Sequence, residues 1–171
     1  TPQHLENVSN ADVTFANDTF TIRHNFLQDY TDLKIQGLAD PSTGTVPSVV
    51  LDGIVNGSVY ADGVKNATLQ GDYDGYLVDD DVMISASGDV KITNPIGGGV
   101  REYLTVYAAQ DVTVHANSGE RYAVEGAANI TCTGDVTLTN DSGAAVDYLL
   151  TIAGARDVTI TGNVTIPNNK D

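Results

Sequence analysis

The sequence predicts an all-β fold: a single-stranded parallel β-helix, or solenoid, with coils of about 23 residues. Three observations predict it. The chain matches itself at an offset of 46 residues, a short motif recurs at about half that offset, and apolar residues alternate with threonine inside the motif. An antiparallel β-sandwich is the alternative, because it also has short alternating strands, but it gives no reason for identity at a fixed offset.

The self-match at 46 residues is clearest in the second half of the chain. Gly88-Asp89-Val90 aligns with Gly134-Asp135-Val136, and Thr93-Asn94 aligns with Thr139-Asn140. Half of the positions from 88 to 113 are identical at this offset. Identity of this extent indicates a structural repeat rather than a shared composition.

An Asp-Val-x-aliphatic motif divides each 46-residue unit into two coils. Its copies are spaced by 22 to 24 residues and begin at Asp89, Asp111, Asp135 and Asp157. In Val158-Thr159-Ile160-Thr161 the two apolar residues point to one side of a strand and the two threonines to the other. A single coil cannot bury its apolar face alone, but stacked coils place Val on Val and form a continuous core.

The repeat pattern predicts one solenoid domain over residues 1–171. Within it we distinguish an N-terminal coil or edge, an irregular repeat and two clear repeats, at residues 1–29, 30–75, 76–121 and 122–167. The stretch 38–58 is rich in Pro, Gly and Ser and fits the period poorly, which predicts an insertion or an irregular coil.

The motif predicts two features of the coil corners: how neighbouring motif copies are joined, and what the aspartates that open the motif do. Residues 12–15 and 18–22 are two copies in close succession, and we expect two short strands joined by a tight corner. The aspartates that open the motif are expected to accept backbone N–H bonds at coil corners rather than to form a row of ligands. They are Asp12, Asp89, Asp111, Asp135 and Asp157.

The net charge of −15 excludes several classes of partner. It is spread along the chain and repels phosphate backbones and anionic lipids, so we expect no nucleic-acid partner. No window approaches roughly 18 consecutive apolar residues, so we expect no membrane insertion. The first residues lack the basic start and apolar core of an export signal. Either the chain is cytosolic or, as we expect, it is extracellular and its signal and anchor lie outside the sequence given.

The single cysteine is predicted to be a buried thiol. Cys132 shares the strand phase of Ile130, which directs it inward. One cysteine cannot form an internal disulfide or a multi-cysteine metal site.

The densest charge cluster is the candidate metal site. Its five carboxylates lie within ten residues and belong to Asp72, Asp74, Asp79, Asp80 and Asp81. Crowded carboxylate oxygens suit calcium, which is the one cofactor that we consider. The cluster does not fit an EF-hand, because the twelfth position from Asp72 is Met83. A solvated acidic turn is the alternative that we favour.

Tyrosines are the candidate ligand-binding residues, because their rings could stack on sugar rings. The four candidates are Tyr73, Tyr76, Tyr103 and Tyr107. Core or corner packing is the alternative, since their strand phases differ. The sequence has no Trp, which makes a strong sugar platform less favoured.

Enzymatic function is the alternative that the fold class suggests, in the form of a polysaccharide lyase or a glycoside hydrolase. Such enzymes need an Arg or Lys base, or converging carboxylates. Arg101, Arg121 and Arg156 follow no recognisable pattern, and neither a Gly-x-Ser-x-Gly elbow nor a phosphate-binding loop occurs. We therefore assign no catalytic residue and expect a non-catalytic protein.

Residues 133–140 (Thr-Gly-Asp-Val-Thr-Leu-Thr-Asn) and 155–163 (Ala-Arg-Asp-Val-Thr-Ile-Thr-Gly-Asn) resemble the Asp-Val-Thr-Ile-rich repeats of secreted or cell-surface proteins from gut anaerobic bacteria. Proteins of that kind are often labelled carbohydrate-binding. The resemblance implies extracellular display, and adhesion to a glycan or a host surface macromolecule or service as a spacer. It carries over no functional residue.

Two further expectations concern threonines and the ends of the solenoid. Thr131-Cys132-Thr133 is similar to the Thr-x-Thr units of ice-binding β-solenoids, so ice binding is a minor alternative, although Lys91 and His115 interrupt the pattern. Neither end of the sequence resembles a helical cap, so we expect neighbouring domains of a larger protein or end-to-end self-association.

Overall fold

The computed structural model describes residues 3–6, 8, 11–23 and 32–164, which form strands, turns and loops. The strands stack in about 6 coils with a spacing of about 23 residues, so the predicted parallel β-helix is confirmed. The β-sandwich alternative is wrong, because neighbouring strands along the stack are parallel. In the described part of the chain, no helix is long and apolar enough to cross a membrane.

One side of the solenoid is a seven-stranded sheet. In spatial order its strands are β1 (Gln3–Glu6), β4 (Leu33–Gly37), β6 (Val59–Val64), β9 (Val82–Ala86), β12 (Leu104–Ala109), β14 (Ala127–Cys132) and β16 (Leu149–Ala153). Strand β1 is antiparallel to β4, and all later neighbours are parallel.

A second side is an eight-stranded sheet. In spatial order its strands are β2 (Asp12–Ala16), β3 (Thr19–Arg23), β5 (Ser48–Asp52), β7 (Ala67–Gln70), β10 (Val90–Asn94), β13 (Val112–Ala116), β15 (Val136–Asn140) and β17 (Val158–Thr161). From β3 onward all neighbours are parallel.

The third side is narrow. It contains the two parallel strands β8 (Tyr76–Val78) and β11 (Gly98–Val100). Beyond them the coils are joined by single bridges between valines, so that one valine per coil forms a row. The row is Val55, Val78, Val100, Val124, Val146 and Val164. Each complete coil therefore runs along three sides around one core.

The apolar residues of the motif stack on their own kind, as predicted. Val90, Val112 and Val136 occupy consecutive coils in register, and each is at most 1% exposed. Cys132 is 2% exposed, which confirms the buried thiol. Burial also raises the pKa of that thiol above its usual value, so the thiolate is disfavoured.

The predicted irregular stretch contains an insertion. Residues 38–47 separate β4 from β5, whereas two to four residues separate the corresponding strands of later coils. The loop closes on a turn in which the Asp40 carboxylate accepts hydrogen bonds from the Ser42 amide at 2.8 Å and hydroxyl at 2.6 Å. These bonds hold the pKa of Asp40 below its usual value.

The prediction for residues 12–22 is right about the two strands and wrong about how they are joined. The two strands form, but β2 and β3 pair antiparallel as a hairpin instead of following a coil corner. Asn17 and Asp18 have φ angles of 54° and 56°, the left-handed conformation that a two-residue hairpin turn requires. The hairpin leaves β2 at the edge of the eight-stranded sheet, and β1 lies antiparallel at the same end of the seven-stranded sheet.

Two buried asparagines that lie two coils apart account for part of the 46-residue repeat. Asn94 and Asn140 end β10 and β15 with their side chains in the interior, 0% and 2% exposed. The coil between them has Ala116 at this position. One coil before Asn94 and one coil after Asn140 the chain has Gly71 and Gly162, each one residue beyond a paired position. Large and small residues therefore alternate, and the pattern repeats every two coils.

Asn94 uses its amide to hold two coils together. Its Oδ1 accepts a hydrogen bond from the Tyr73 amide at 3.1 Å. Its Nδ2 donates to the Tyr73 carbonyl at 2.9 Å, to Gly75 at 3.2 Å and to Gly98 at 2.8 Å. The loop at residues 73–75 belongs to the previous coil, so the side chain fixes that loop as well as its own.

Asn140 does the same two coils later. It accepts a hydrogen bond from the Ser118 amide at 2.9 Å and donates to the carbonyls of Arg121 at 2.8 Å and Ala144 at 2.7 Å. The two asparagines therefore position the loops that carry Tyr73 and Arg121.

The corner aspartates form a ladder of hydrogen bonds between coils. Asp89 accepts a bond from the Asp111 amide at 3.1 Å, and Asp111 accepts one from the Asp135 amide at 2.8 Å. Asn66 takes the same role one coil earlier, accepting from the Asp89 amide at 2.8 Å. The structural prediction is confirmed for Asp89 and Asp111. It is wrong for Asp12, which lies in hairpin strand β2.

A candidate cleft on the third side

The third side contains a cleft of about 400 Å³ that spans three coils. Its walls are formed by Tyr73, Asp74, Gly75, Tyr76, Asp79, Arg101, Arg121 and Glu125. A recess of about 210 Å³ adjoins it, shares Tyr73, Tyr76 and Asp79 with it, and extends to residues 54–56 of the preceding coil. The cleft therefore runs across the coils, along the axis of the solenoid.

Three consecutive glycines in the middle coil make room for the cleft. A Cβ at Gly98 would lie 2.6 Å from Tyr76 Cε1 and 3.0 Å from Arg121 Cβ. A Cβ at Gly97 would lie 2.7 Å from Asn94 Nδ2. Because the Gly97–Gly99 segment lacks side chains, the residues of the coils on either side can meet above it.

Two ion pairs connect the walls of the cleft. Arg121 Nη1 lies 3.1 Å from Asp74 Oδ1, two coils away. Arg101 Nη1 lies 3.2 Å from one oxygen and 3.4 Å from the other oxygen of Asp79. The second pair raises the pKa of Arg101, because the carboxylate stabilises the charged guanidinium. Both pairs are largely solvent-exposed, so they organise the cleft more than they stabilise the fold.

Tyr76 joins the first coil of the cleft to the third. Its ring is 8% exposed, and its hydroxyl donates to Glu125 Oε1 at 2.8 Å and accepts from the Tyr122 amide at 3.2 Å. Burial, together with the neighbouring carboxylate of Glu125, raises the pKa of Tyr76 well above its usual value. Tyr76 is therefore a neutral structural donor that orients Glu125.

The cleft presents groups that suit a polyhydroxylated ligand. Guanidinium and carboxylate groups can each make paired hydrogen bonds, which match adjacent hydroxyls of a sugar. The half-buried ring of Tyr73 adds an apolar surface beside them. The named groups carry three negative and two positive charges, from Asp74, Asp79 and Glu125 against Arg101 and Arg121.

The five predicted metal ligands are spread over different surfaces. Asp74 and Asp79 line the cleft and face arginines, whereas Asp72 lines a separate surface pocket with Asp52. Asp81 accepts a hydrogen bond from the Tyr103 amide at 3.1 Å. Asp80 lies at the corner between them. In the part of the chain that the structure describes, no three His, Cys, Asp or Glu side chains are arranged to hold a metal ion. Calcium binding stays a prediction.

The four predicted tyrosines fall into two pairs on different sides. Tyr73 and Tyr76 line the cleft. Tyr103 and Tyr107 are 51% and 47% exposed on the outer surface of the seven-stranded sheet, where Leu104 between them points inward. The structure thus does not unite the four in one site.

Three residues of the cleft were not predicted as site residues. They are Arg101, Arg121 and Glu125, which lie in the regular repeats. The usable signal was the run Gly97–Gly99, because side chains are absent there in two of the three residues of β11 and in the residue before it.

The outward threonines of the eight-stranded sheet form a partial array. Thr113, Thr137 and Thr159 stack in register, and Lys91 occupies the same column one coil earlier. Thr131 and Thr133 are exposed on either side of buried Cys132. The array is therefore short, and ice binding stays a minor alternative.

Comparisons with known proteins identify no relative. No family model matches the chain, and no match was found among curated proteins or among solved structures.

Proposed function

We propose that this chain is a non-catalytic binding module of a bacterial surface protein, and that it holds a glycan in the cleft on its third side. The observation that carries the proposal is the pairing of Arg101 with Asp79 and of Arg121 with Asp74 across three coils, next to the ring of Tyr73. A glycan chain lying along the solenoid axis would meet these groups in succession.

The rigid surroundings support a binding role. The loops that carry Tyr73 and Arg121 are each held by a buried asparagine, so little ordering is needed when a ligand binds. The proposed display at a cell surface, with the solenoid also serving as a spacer next to other domains, rests on the resemblance of the repeat.

The test is a glycan array followed by calorimetry with the best ligand. We expect the double variant R101A/R121A to lose about tenfold or more in affinity, because hydrogen bonds to charged groups contribute about 1.5 to 3 kcal/mol and about 1.4 kcal/mol equals a factor of ten.

The matched control is K65A/K91A, which removes the same two positive charges from exposed lysines outside the cleft. It should bind as the parent does. If both double variants lose affinity equally, general charge rather than the cleft governs binding. If the parent is folded but binds no glycan on the array, the binding proposal fails and only the spacer role remains.

A polysaccharide lyase is the enzymatic alternative, because Arg101 and Glu125 share the cleft. If Arg101 were the base of a lyase, its guanidinium would have to lose a proton. Asp79 makes this harder, because it raises the pKa of Arg101. Release of unsaturated or shortened products from polysaccharide substrates by the parent, abolished in Glu125→Gln, would replace the binding proposal with an enzymatic one.

A further inference from the structure

Four neighbouring strands of the seven-stranded sheet form an outer surface without charge. Strands β9, β12, β14 and β16 contain no Asp, Glu, Lys or Arg, although the whole chain has 31 such residues, 23 acidic and 8 basic. The earlier strands β4 and β6 of the same sheet do carry charge, at Lys34 and Asp62. We call the outer surface of β9, β12, β14 and β16 the uncharged face.

Large apolar side chains project from the uncharged face. Met83, Tyr107 and Leu149 are 49%, 47% and 50% exposed, and Tyr103, directly before β12, is 51% exposed. Between them lie hydroxyl and amide side chains such as Asn129. Tyr103 and Tyr107 point the same way and are separated by four residues, or about 13 Å of strand.

The size of the uncharged face limits what can occupy it. Four strands of about five residues cover roughly 300 Å², because strands lie about 4.8 Å apart and each residue adds about 3.3 Å. A stable protein–protein interface buries about 800 Å² on each partner. A second copy would also bring a second net charge of −15 against the first. Self-association through this face is therefore disfavoured.

The charge pattern selects the partner. A cationic partner would prefer the acidic surfaces of this chain, and an anionic one is repelled by its net charge. A neutral partner forgoes no charge interaction when it contacts a surface of tyrosine, methionine, threonine and asparagine. Tyrosine offers an apolar ring and a hydroxyl at once, which matches the apolar face and the hydroxyls of a pyranose ring.

We infer that the uncharged face is a second binding site, separate from the cleft, that adsorbs the chain onto an ordered neutral polysaccharide. The strands are in register from Leu104 to Tyr107, before a shift of register between Tyr107 and Ala109, and Tyr103 and Tyr107 are the two ring contacts. The inference does not depend on the cleft, which lies on another side of the solenoid.

The test is a depletion assay with suspended microcrystalline cellulose and, in parallel, chitin. The parent is expected to leave the supernatant with at least one of the two polymers. The variant Y103A/Y107A is expected to show about tenfold weaker partition, which corresponds to about 1.4 kcal/mol. Partition of the parent should be the same at low and high salt, because no charged group takes part.

Two controls separate this site from others. T137A/T159A alters outward-facing threonines of the eight-stranded sheet, one half-buried and one exposed, and should adsorb as the parent does. R101A/R121A should also adsorb fully, even if it no longer binds soluble glycans. Equal thermal melting of all variants shows that they are folded.

The inference is overturned if the folded parent stays in the supernatant with both polymers, or if Y103A/Y107A adsorbs as well as the parent. Loss of adsorption in R101A/R121A alone would assign the polymer to the cleft and would also overturn it.

Discussion

At the scale of single residues, the amides of Asn94 and Asn140 are the most informative feature. Each satisfies backbone groups in two successive coils from a position with almost no exposure. A buried amide is costly unless its groups are bonded, and here the bonds also tie the loops of two successive coils to one side chain.

Replacing Asn94 with alanine should lower the free energy of unfolding by about 2 kcal/mol or more. The change removes four hydrogen bonds, each of which contributes about 0.5 to 1.5 kcal/mol, although the carbonyls of Tyr73 and Gly75 keep backbone bonds. Urea denaturation measures the loss. Asn129→Ala, an exposed asparagine on β14, is the control and should be nearly neutral. A loss below about 1 kcal/mol in Asn94→Ala would show that water replaces the amide.

The raised pKa of Tyr76 predicts how the free energy of unfolding changes at alkaline pH. Its pKa is raised in the folded protein, above the value of about 10 expected in the unfolded chain. The neutral phenol therefore contributes its full stability below about pH 10, and this contribution is lost as pH rises towards the folded pKa. Tyr122 has a raised pKa too and adds to the same trend.

Tyr76→Phe should therefore be less stable than the parent near neutral pH, and the difference should shrink above about pH 10, by up to about 1.4 kcal/mol per pH unit. Unfolding free energies measured from neutral to alkaline pH test this. Tyr107→Phe makes the same chemical change at an exposed strand position. Its free energy of unfolding should change with pH as that of the parent does. A constant difference between Tyr76→Phe and the parent at all pH values would contradict the assignment.

At the scale of strands and loops, the sequence was a good guide wherever one short segment determines the outcome. The alternation in Val158-Thr159-Ile160-Thr161 sets which side faces the core, so the strands and the buried Cys132 could be predicted. The composition of residues 38–58 likewise marked an insertion, which the structure places at 38–47.

The hairpin and the cleft lay beyond the sequence for physical reasons. Residues 12–22 have the same alternation whether the second strand pairs back on the first or continues around a coil, and the turn at Asn17 and Asp18 decides. The cleft depends on Arg121 reaching Asp74 two coils away. The run Gly97–Gly99 indicates where side chains are absent, but the contact also depends on the exact stacking of coils, which no local pattern encodes.

At the scale of the whole molecule, asparagine alternates with small residues along the stack. This order is kept only when coils are removed two at a time. Deleting residues 95–140 removes 46 residues and joins Asn94 to Asp141, so the alternation is kept. Deleting residues 95–116 removes 22 residues and stacks Asn94 directly on Asn140, so that both amides face the loop at 117–122.

The shorter product should therefore be the more stable of the two. Chain length alone predicts the opposite, because a longer solenoid buries more surface. We expect the 22-residue deletion to be less stable by about 2 kcal/mol or more, since buried amides and carbonyls lose partners. Urea denaturation, with circular dichroism to confirm β-structure, ranks the two variants. The reverse ranking would show that the asparagines do not set the period.

The parallel stacking of coils also determines how the molecule responds to tension. Hydrogen bonds between coils point along the solenoid axis, so a force that separates the two ends breaks the bonds of one coil at a time instead of shearing a whole sheet. Detachment should begin at an end of the stack, such as the coil of β16 and β17, whose outer edges have no further described strand beside them. Each detached coil of about 23 residues releases roughly 75 Å of extended chain. Anchored between a surface and a moving partner, such a molecule would lengthen stepwise and absorb mechanical work before its attachment fails.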